Sequence, residues 1–324
     1  MMPSRLSRRS FLAAALSAAP CAAIAAEGDF AAFIAGVRRD AVAQGVRAAI
    51  ADYALARAEY LPHVIELDRR QPERTMTLSG FIEKVVTPQK VTDGRAALSE
   101  NWPLLMRVYQ RFNVQPRFVV ALWGVESDFG KVMGNYSVVS ALATLAYDGR
   151  RASYFRPELI AALRILDQGN VGADAMLGSW AGAMGQCQFM PSTFLNYAVD
   201  FDGDGRRDIW NDRADVVGSI ANYIARLGWR GDQGWGRSVV VPANFDPRMA
   251  SLDVRRPAAE WSRMGVRPAD AAPLASGDAS LVMPDGSTGP ALLVYDNFRT
   301  IMKWNRSTFF AAAVGMLADR FGAG

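Results

Sequence analysis

Residues 119–130 read Val-Val-Ala-Leu-Trp-Gly-Val-Glu-Ser-Asp-Phe-Gly, and a single carboxylate, Glu126, closes an apolar run that begins after Pro116. Proline suits the first turn of a helix, where its missing N–H is no loss. Phe118, Leu122 and Val125 recur at helical spacing and would face a core. The pattern therefore predicts a helix from Pro116 to Glu126, ended by Gly130. Two influences there disfavour the ionised carboxylate: apolar surroundings and the negative end of the helix dipole. A carboxylic acid kept protonated near neutral pH is what general-acid cleavage of a glycosidic bond needs. By itself the pattern also fits a solvated Glu at a helix end, so the assignment needs support from elsewhere in the chain.

The N-terminus reads as an export signal. Ser7-Arg8-Arg9-Ser10-Phe11-Leu12 is a twin-arginine motif. The apolar run from Phe11 to Ala26 is short for a membrane span and ends in small residues suited to cleavage near Ala23-Ile24-Ala25. An uncleaved anchor is the competing reading. Pro20 and the residues before it make a poor lipobox for Cys21. Cleavage after residue 26 predicts a soluble periplasmic protein.

Cleavage also removes Arg5, Arg8 and Arg9, which lowers the formal charge from +4 to about +1. No nucleic-acid partner is called for. Cys187 then remains as the only cysteine, so no internal disulfide is available to the exported chain. About 298 residues with eight tryptophans and 50% hydrophobic content can bury a core in more than one lobe. His63 is the only histidine and has no Cys or Asp at ligand spacing. Ser-His-Asp and His-rich metal chemistries are excluded.

Residues 28–72 are Ala-rich with helical period, and 76–90 read as an extended connection. A long helix is predicted from about Thr92 to Phe112, with others over Ser137–Leu145, Glu158–Asp167, Val216–Leu227 and Asn297–Asp319. Gly178 to Met190 is a glycine-punctuated loop before Pro191, which can open a helix. From Arg237 to about Tyr295 the character changes. Residues 238–242, 280–283 and 291–294 read as short strands, with a turn at 284–287. The outline is a mainly helical α+β chain with a small β-containing insert.

Asp200-Phe201-Asp202-Gly203-Asp204-Gly205-Arg206-Arg207-Asp208 matches an EF-hand loop at positions 1, 3, 5, 6 and 9. Arg206 would offer only its backbone carbonyl. Asn211 stands where the loop's closing Glu belongs, and Asp215 (or Asp212) is expected to close the shell instead. Mutual repulsion among Asp200, Asp202 and Asp204 favours a structural Ca²⁺ over a metal-free acidic turn. In Gly178–Ser192, Ser179, Gln186 and Gln188 supply neutral hydrogen-bonding groups, while Trp180, Phe189 and Met190 supply apolar faces. That mixture suits a sugar site, and it equally fits a tight structural loop.

Together, Trp123–Gly130, Ala181–Ser192 and the Asp200–Trp210 loop resemble the lytic murein transglycosylase B family, in that order and at that family's spacing. The likeness extends from about residue 28 to the end. It implies a lysozyme-like catalytic core over 91–236, a helical N-terminal region over 27–90, an insert over 237–295 and a return to the core over 296–324. It implies cleavage of the β-1,4 bond between N-acetylmuramic acid and N-acetylglucosamine in peptidoglycan, with Glu126 as the one acid/base and a 1,6-anhydro product. Arg150 and Arg151 match an arginine pair bordering the cleft. Ser179 and Gln188 match substrate contacts, and Tyr223 an aromatic near the acid. Trp304-Asn305 stands where the family often has Tyr-Asn, so stacking would survive there while a hydroxyl contact is put in doubt. The resemblance implies a monomer acting on glycan strands with no organic cofactor. Two other readings stay open. A lysozyme-type hydrolase would need a second carboxylate, Asp128 or Asp148, and a wall-binding protein would need no acid at all.

Overall fold

A computed structural model describes residues 19–70, 76–270 and 273–322, with the backbone alone described over 19–28. The twin-arginine segment lies outside the described residues. No helix among them is long and apolar enough to cross a membrane.

The first three helices are α1 (Ala19–Ala43), α2 (Ala48–Leu55) and α3 (Pro62–Arg69). The stretch read as an extended connection is instead helical: α4 spans Leu78–Val85 and α5 spans Pro88–Glu100. Both starts are capped by threonine. Thr77 accepts from the Gly80 amide and Thr87 from the Lys90 amide, which satisfies donors that a helix start leaves free. The long helix expected over 92–112 is two helices, because α6 begins anew at Trp102 and runs to Phe112. Pro103 has no N–H to continue the earlier ladder, and the Asn101 side chain bonds back to the Ala97 carbonyl.

Helix α7 (Pro116–Ser127) forms where expected, but its apolar residues are not confined to one stripe. Every residue from Phe118 to Trp123 is buried, so α7 is a central helix, wrapped by α5, α6 and later elements. Helix α8 (Val138–Tyr147) is likewise buried along its length. Helix α9 (Ala152–Asp167) starts earlier than predicted and carries Pro157 near its N-terminus. Next come α10 (Pro191–Tyr197) and α11 (Arg213–Arg226), the latter N-capped by Asp212. A two-stranded ribbon of β1 (Tyr136–Ser137) and β2 (Leu177–Gly178) precedes the glycine-rich loop.

The region after residue 235 holds an antiparallel sheet of β3 (Gly236–Val240), β4 (Arg256–Pro257), β5 (Arg267–Pro268), β6 (Asp278–Val282) and β7 (Ala291–Val294), in the order β4-β6-β7-β3-β5. With α12 (Ala258–Arg263) it encloses an apolar cluster of its own around Trp261, Leu281 and Leu293. The predicted C-terminal helix is also two, α13 (Asp296–Trp304) and α14 (Thr308–Phe321). Asn305 is extended and Ser307 caps α14. Helix α14 packs on α7, and α13 places its last residue, Trp304, beside the end of α7.

Candidate active site

Glu126 lies in the last turn of α7, and the turn after it is abrupt. Asp128, Phe129 and Gly130 take φ values of 51°, 59° and 85°, three successive left-handed residues. Two of them carry side chains, a conformation found mainly where surrounding contacts enforce it. Those contacts are present. The Phe129 ring folds back so closely on Gly124 that a Cβ there would sit 2.6 Å from it. Ser127 Oγ donates to the Gln186 carbonyl at 2.7 Å and accepts from the Gly130 amide at 3.1 Å. One turn earlier, Trp123 Nε1 donates to Gln186 Oε1 at 2.9 Å. Gln186 Nε2 in turn donates to the Trp210 carbonyl at 2.7 Å. Gln186 is therefore a buckle between α7, the glycine loop and the acidic loop, and not a free sugar-binding group.

The Glu126 carboxyl is partly buried. Burial pushes its pKa from an ordinary 4.5 up to about 7, against the opposing pull of a hydrogen bond from Trp304. Lys90 donates to the Gly124 carbonyl at 3.0 Å and lies 3.4 Å from Asp128, so a cation stands at the end of α7. Desolvation is the largest influence that raises the acid.

Trp304 Nε1 donates to Glu126 Oε1 at 2.7 Å. Its ring also continues an aromatic wall: Tyr223 lies 4.8 Å from it and 4.3 Å from Tyr197, centroid to centroid. Phe189 packs beneath, 5.4 Å from Trp304 and 5.3 Å from Tyr223. Trp304 thus meets the acid directly, and Tyr223 stands against Trp304. Asn305 is exposed and accepts from the Ser307 amide at 3.1 Å, shaping the α13–α14 corner.

Ser179 Oγ accepts from the Ala183 amide at 3.1 Å, and Gln188 Nε2 donates to the Met133 and Gly185 carbonyls. Both side chains first hold the loop in shape. Gln188 does so from a left-handed backbone, φ 49°. Arg150 and Arg151 share one partner, Asp68 of α3, which is 3% exposed. The two guanidiniums surround one carboxylate, so the corner between α8 and α9 keeps a net positive charge. Cys187 is fully buried and its pKa is raised, chiefly by burial, so no thiolate is available. His63 is an exposed residue 3.5 Å from Glu66.

The family described as Transglycosylase SLT domain matches residues 29–319. The chain belongs to the lytic murein transglycosylase B family. It is 37% identical over 245 residues to the membrane-bound lytic murein transglycosylase B of Escherichia coli strain K12, a match covering 74% of this chain and 66% of that protein. The chain thus spans just under two thirds of that relative's length. It resembles SltB3 from Pseudomonas aeruginosa in complex with NAG-anhNAM-pentapeptide at 46% identity and a TM-score of 0.87, over 91% of this chain and 80% of that one. Against the Escherichia coli lytic transglycosylase Slt35 in complex with bulgecin A the identity is 31% and the TM-score 0.76, over 90% and 92% of the two chains. The transglycosylase B fold here is therefore the mainly helical, lysozyme-like one of these neighbours.

In this transglycosylase B chain the acidic loop follows α10. Oxygens of Asp200, Asp202 and Asp204 lie within 4.8 Å of one another. Asp208 and Asp215 take part in the loop through backbone hydrogen bonds. Asp208 Oδ1 accepts from the Trp210 and Asn211 amides. Asp215, 1% exposed, accepts from the Phe201 and Asp208 amides at 2.7 Å each, and burial pushes its pKa up to about 6. Through these two bonds it ties the start and the end of the acidic loop together.

Sequence reasoning missed Asp68, Lys90, Tyr197 and the buckle role of Gln186. It also missed Tyr154, an exposed aromatic on α9 whose electrostatic influence reaches Tyr223. No local signal marks Asp68 or Tyr197, since each acquires its role from a partner distant in sequence. A cavity of about 620 Å³ lies away from the acid, bounded by Arg117, Trp235, Arg237 and Asp319. Its Asp319 is already bonded by Trp235 Nε1 at 2.8 Å and lies 3.6 Å from Arg117.

Proposed function

We propose that this protein is a peptidoglycan lytic transglycosylase that cleaves the β-1,4 bond from N-acetylmuramic acid to N-acetylglucosamine, with Glu126 as its single acid/base. The observation that carries the reading is a carboxyl held protonated to near neutral pH at the edge of an aromatic wall. Glu126 gives its proton to the leaving glycosidic oxygen as the C1–O bond breaks. The resulting carboxylate then takes the proton of the C6 hydroxyl on the same muramoyl residue, and the C1–O6 bond closes. No water is consumed, and the nearness of that hydroxyl replaces a second activated nucleophile. SltB3 is described in complex with NAG-NAM-pentapeptide and with NAG-anhNAM-pentapeptide, the latter carrying the anhydro muramoyl end that this reaction forms. The carboxylates that a hydrolase would need are engaged elsewhere: Asp128 lies 3.4 Å from Lys90 and Asp148 2.7 Å from Arg69.

The twin-arginine motif, followed by small residues, directs the chain to the periplasm. It acts there as a monomer on glycan strands, with the aromatic wall, Ser179, Gln188 and the Arg150–Arg151 pair lining the path. A calcium ion fits the acidic loop through Asp200, Asp202, Asp204 and the Arg206 carbonyl. Slt35 is described in complex with calcium. The ion would pin the loop beside α11 and supply no step of the reaction. Melting with and without Ca²⁺ in chelator-treated protein tests this, since a structural site raises the melting temperature with added Ca²⁺.

Mass spectrometry of soluble products from purified peptidoglycan tests the activity, with Glu126→Gln as control. Muropeptides lighter by one water than their hydrolysed equivalents, absent from the control, are expected. Reducing muramoyl ends would move the assignment to a hydrolase, and glycan binding with no turnover would leave a wall-binding protein.

A further inference from the structure

We infer that Trp304 is the positioning residue of the acid, fixing which oxygen of the Glu126 carboxyl carries the proton. This rests on the reading of Glu126 as the acid/base. An indole N–H donates and cannot accept. Its bond to Oε1 therefore persists in both protonation states, to the carbonyl oxygen of the acid and to the carboxylate. The hydroxyl oxygen of a carboxylic acid is the poorer acceptor, so the proton resides on Oε2. Oε2 delivers it to the leaving oxygen, and negative charge on Oε1 remains hydrogen-bonded until the C6 hydroxyl proton returns. A group able both to donate and to accept would permit the opposite arrangement, with the carboxyl proton directed at it and turned away from the substrate.

The indole cannot swing away readily. Tyr223 stacks on it at 4.8 Å with an interplanar angle of 35°, and Phe189 abuts it at 5.4 Å. Tyr197 backs Tyr223 in turn, so the donor is held by three rings from the glycine loop, α10 and α11. The other polar groups around the end of α7 leave Oε1 to Trp304. Lys90 of α5 is bound to the Gly124 carbonyl and close to Asp128. Arg213 of α11 bonds Asn101 and lies over the Trp123 ring. On the α14 side, Asp319 lies 3.6 Å from Arg117 at the far end of α7. The Cys187 thiol is neutral, and its own titration is displaced upward by Glu126 as well as by burial. The Tyr223 hydroxyl bonds Thr193 and stays protonated, its titration displaced upward by burial.

Trp304→Phe keeps a ring in the stack and removes only the donor. The N–H favours the carboxylate, so its loss must raise the Glu126 titration. The alkaline limb of the kcat/KM profile is expected to move up by about one pH unit. At the acidic plateau kcat is expected to fall by about 10- to 100-fold, while KM stays within about a factor of two. Infrared difference titration of the protonated carboxyl, with Glu126→Gln subtracted, reads the same shift without turnover. It decides the matter even if the products prove hydrolytic or absent, a result that would count against the transglycosylase reading alone. Far-ultraviolet circular dichroism confirms that each variant is folded. An unmoved carboxyl titration with a raised KM in Trp304→Phe would overturn the inference and make Trp304 a sugar platform only.

Discussion

Glu126→Gln should make the protein inactive and, at alkaline pH, more stable. The amide is shaped like the protonated acid, so its oxygen still accepts from Trp304 Nε1 while its NH₂ group stands where the hydroxyl was. The wild-type carboxyl titrates at about 7 when folded and at an ordinary 4.5 otherwise. Between those values the folded state binds more protons than the unfolded one, so stability falls as pH rises. The contribution is fully present below pH 4.5 and is lost by the time pH passes about 7. That interval corresponds to about 3 kcal/mol, which partial solvent exposure reduces to roughly 2–3 kcal/mol.

The assay is urea or thermal unfolding of both proteins at pH 4.5 and pH 8, taking the difference between variant and wild type at each. Other titrating groups cancel in that difference. The variant should match wild type at the lower pH and exceed it at the higher by roughly 4–8 °C in melting temperature. Equal differences at both pH values would refute burial as the origin of the raised acid. A variant less stable than wild type at pH 8 would mean that the carboxylate has a favourable partner in the folded protein.

Gly124→Ala places a methyl 2.6 Å from the Phe129 ring and should cost about 1–3 kcal/mol in a melt while lowering turnover, because the displaced ring belongs to the turn behind Glu126; an unchanged melt would contradict the packing described. Asp68→Asn should raise KM for soluble glycan with little change in kcat, because the arginine pair loses its shared carboxylate. Steady-state kinetics at several glycan concentrations separate the two parameters. Asp215→Asn keeps one acceptor where two backbone amides need one each, and should lower stability by about 1–3 kcal/mol in urea unfolding.

Local chemistry was legible in the sequence, and boundaries between collinear helices were not. The Pro116 start, the position of Glu126 in the last turn of α7 and the strands at 278–282 and 291–294 follow from spacing and turn residues. The breaks at Asn101 and Asn305 do not, because the apolar period continues across them. Pro103 and Ser307 were the available signals, and an extended apolar pattern outweighed them. Helix α4 was missed for the opposite reason: eight residues with one buried side chain make a weak pattern, and only the Thr77 cap marks it. In the site, the contact between Trp304 and Glu126 joins residues 178 apart in sequence, and the arginine pair meets Asp68 across 82 and 83. Residue type suggested that Trp304 would stack. Only the arrangement of α13 against α7 shows that it also bonds the acid.

The raised acid and the strained turn are two consequences of one requirement. A carboxyl with its titration near neutral must be kept from water, which disfavours folding at the pH where it works. Ending α7 with three left-handed residues turns the chain away at once, so Glu126 is not followed by a further exposed turn that would solvate it. That ending is itself unfavourable for Asp128 and Phe129, and it persists because Gln186, Ser127 and Lys90 fix the groups on either side. The residues that look like sugar ligands in the sequence are the same polar groups that enforce this geometry. Gln186 illustrates the point: its amide reaches Trp123 on α7 and Trp210 on the acidic loop, so a change there would release the turn behind Glu126.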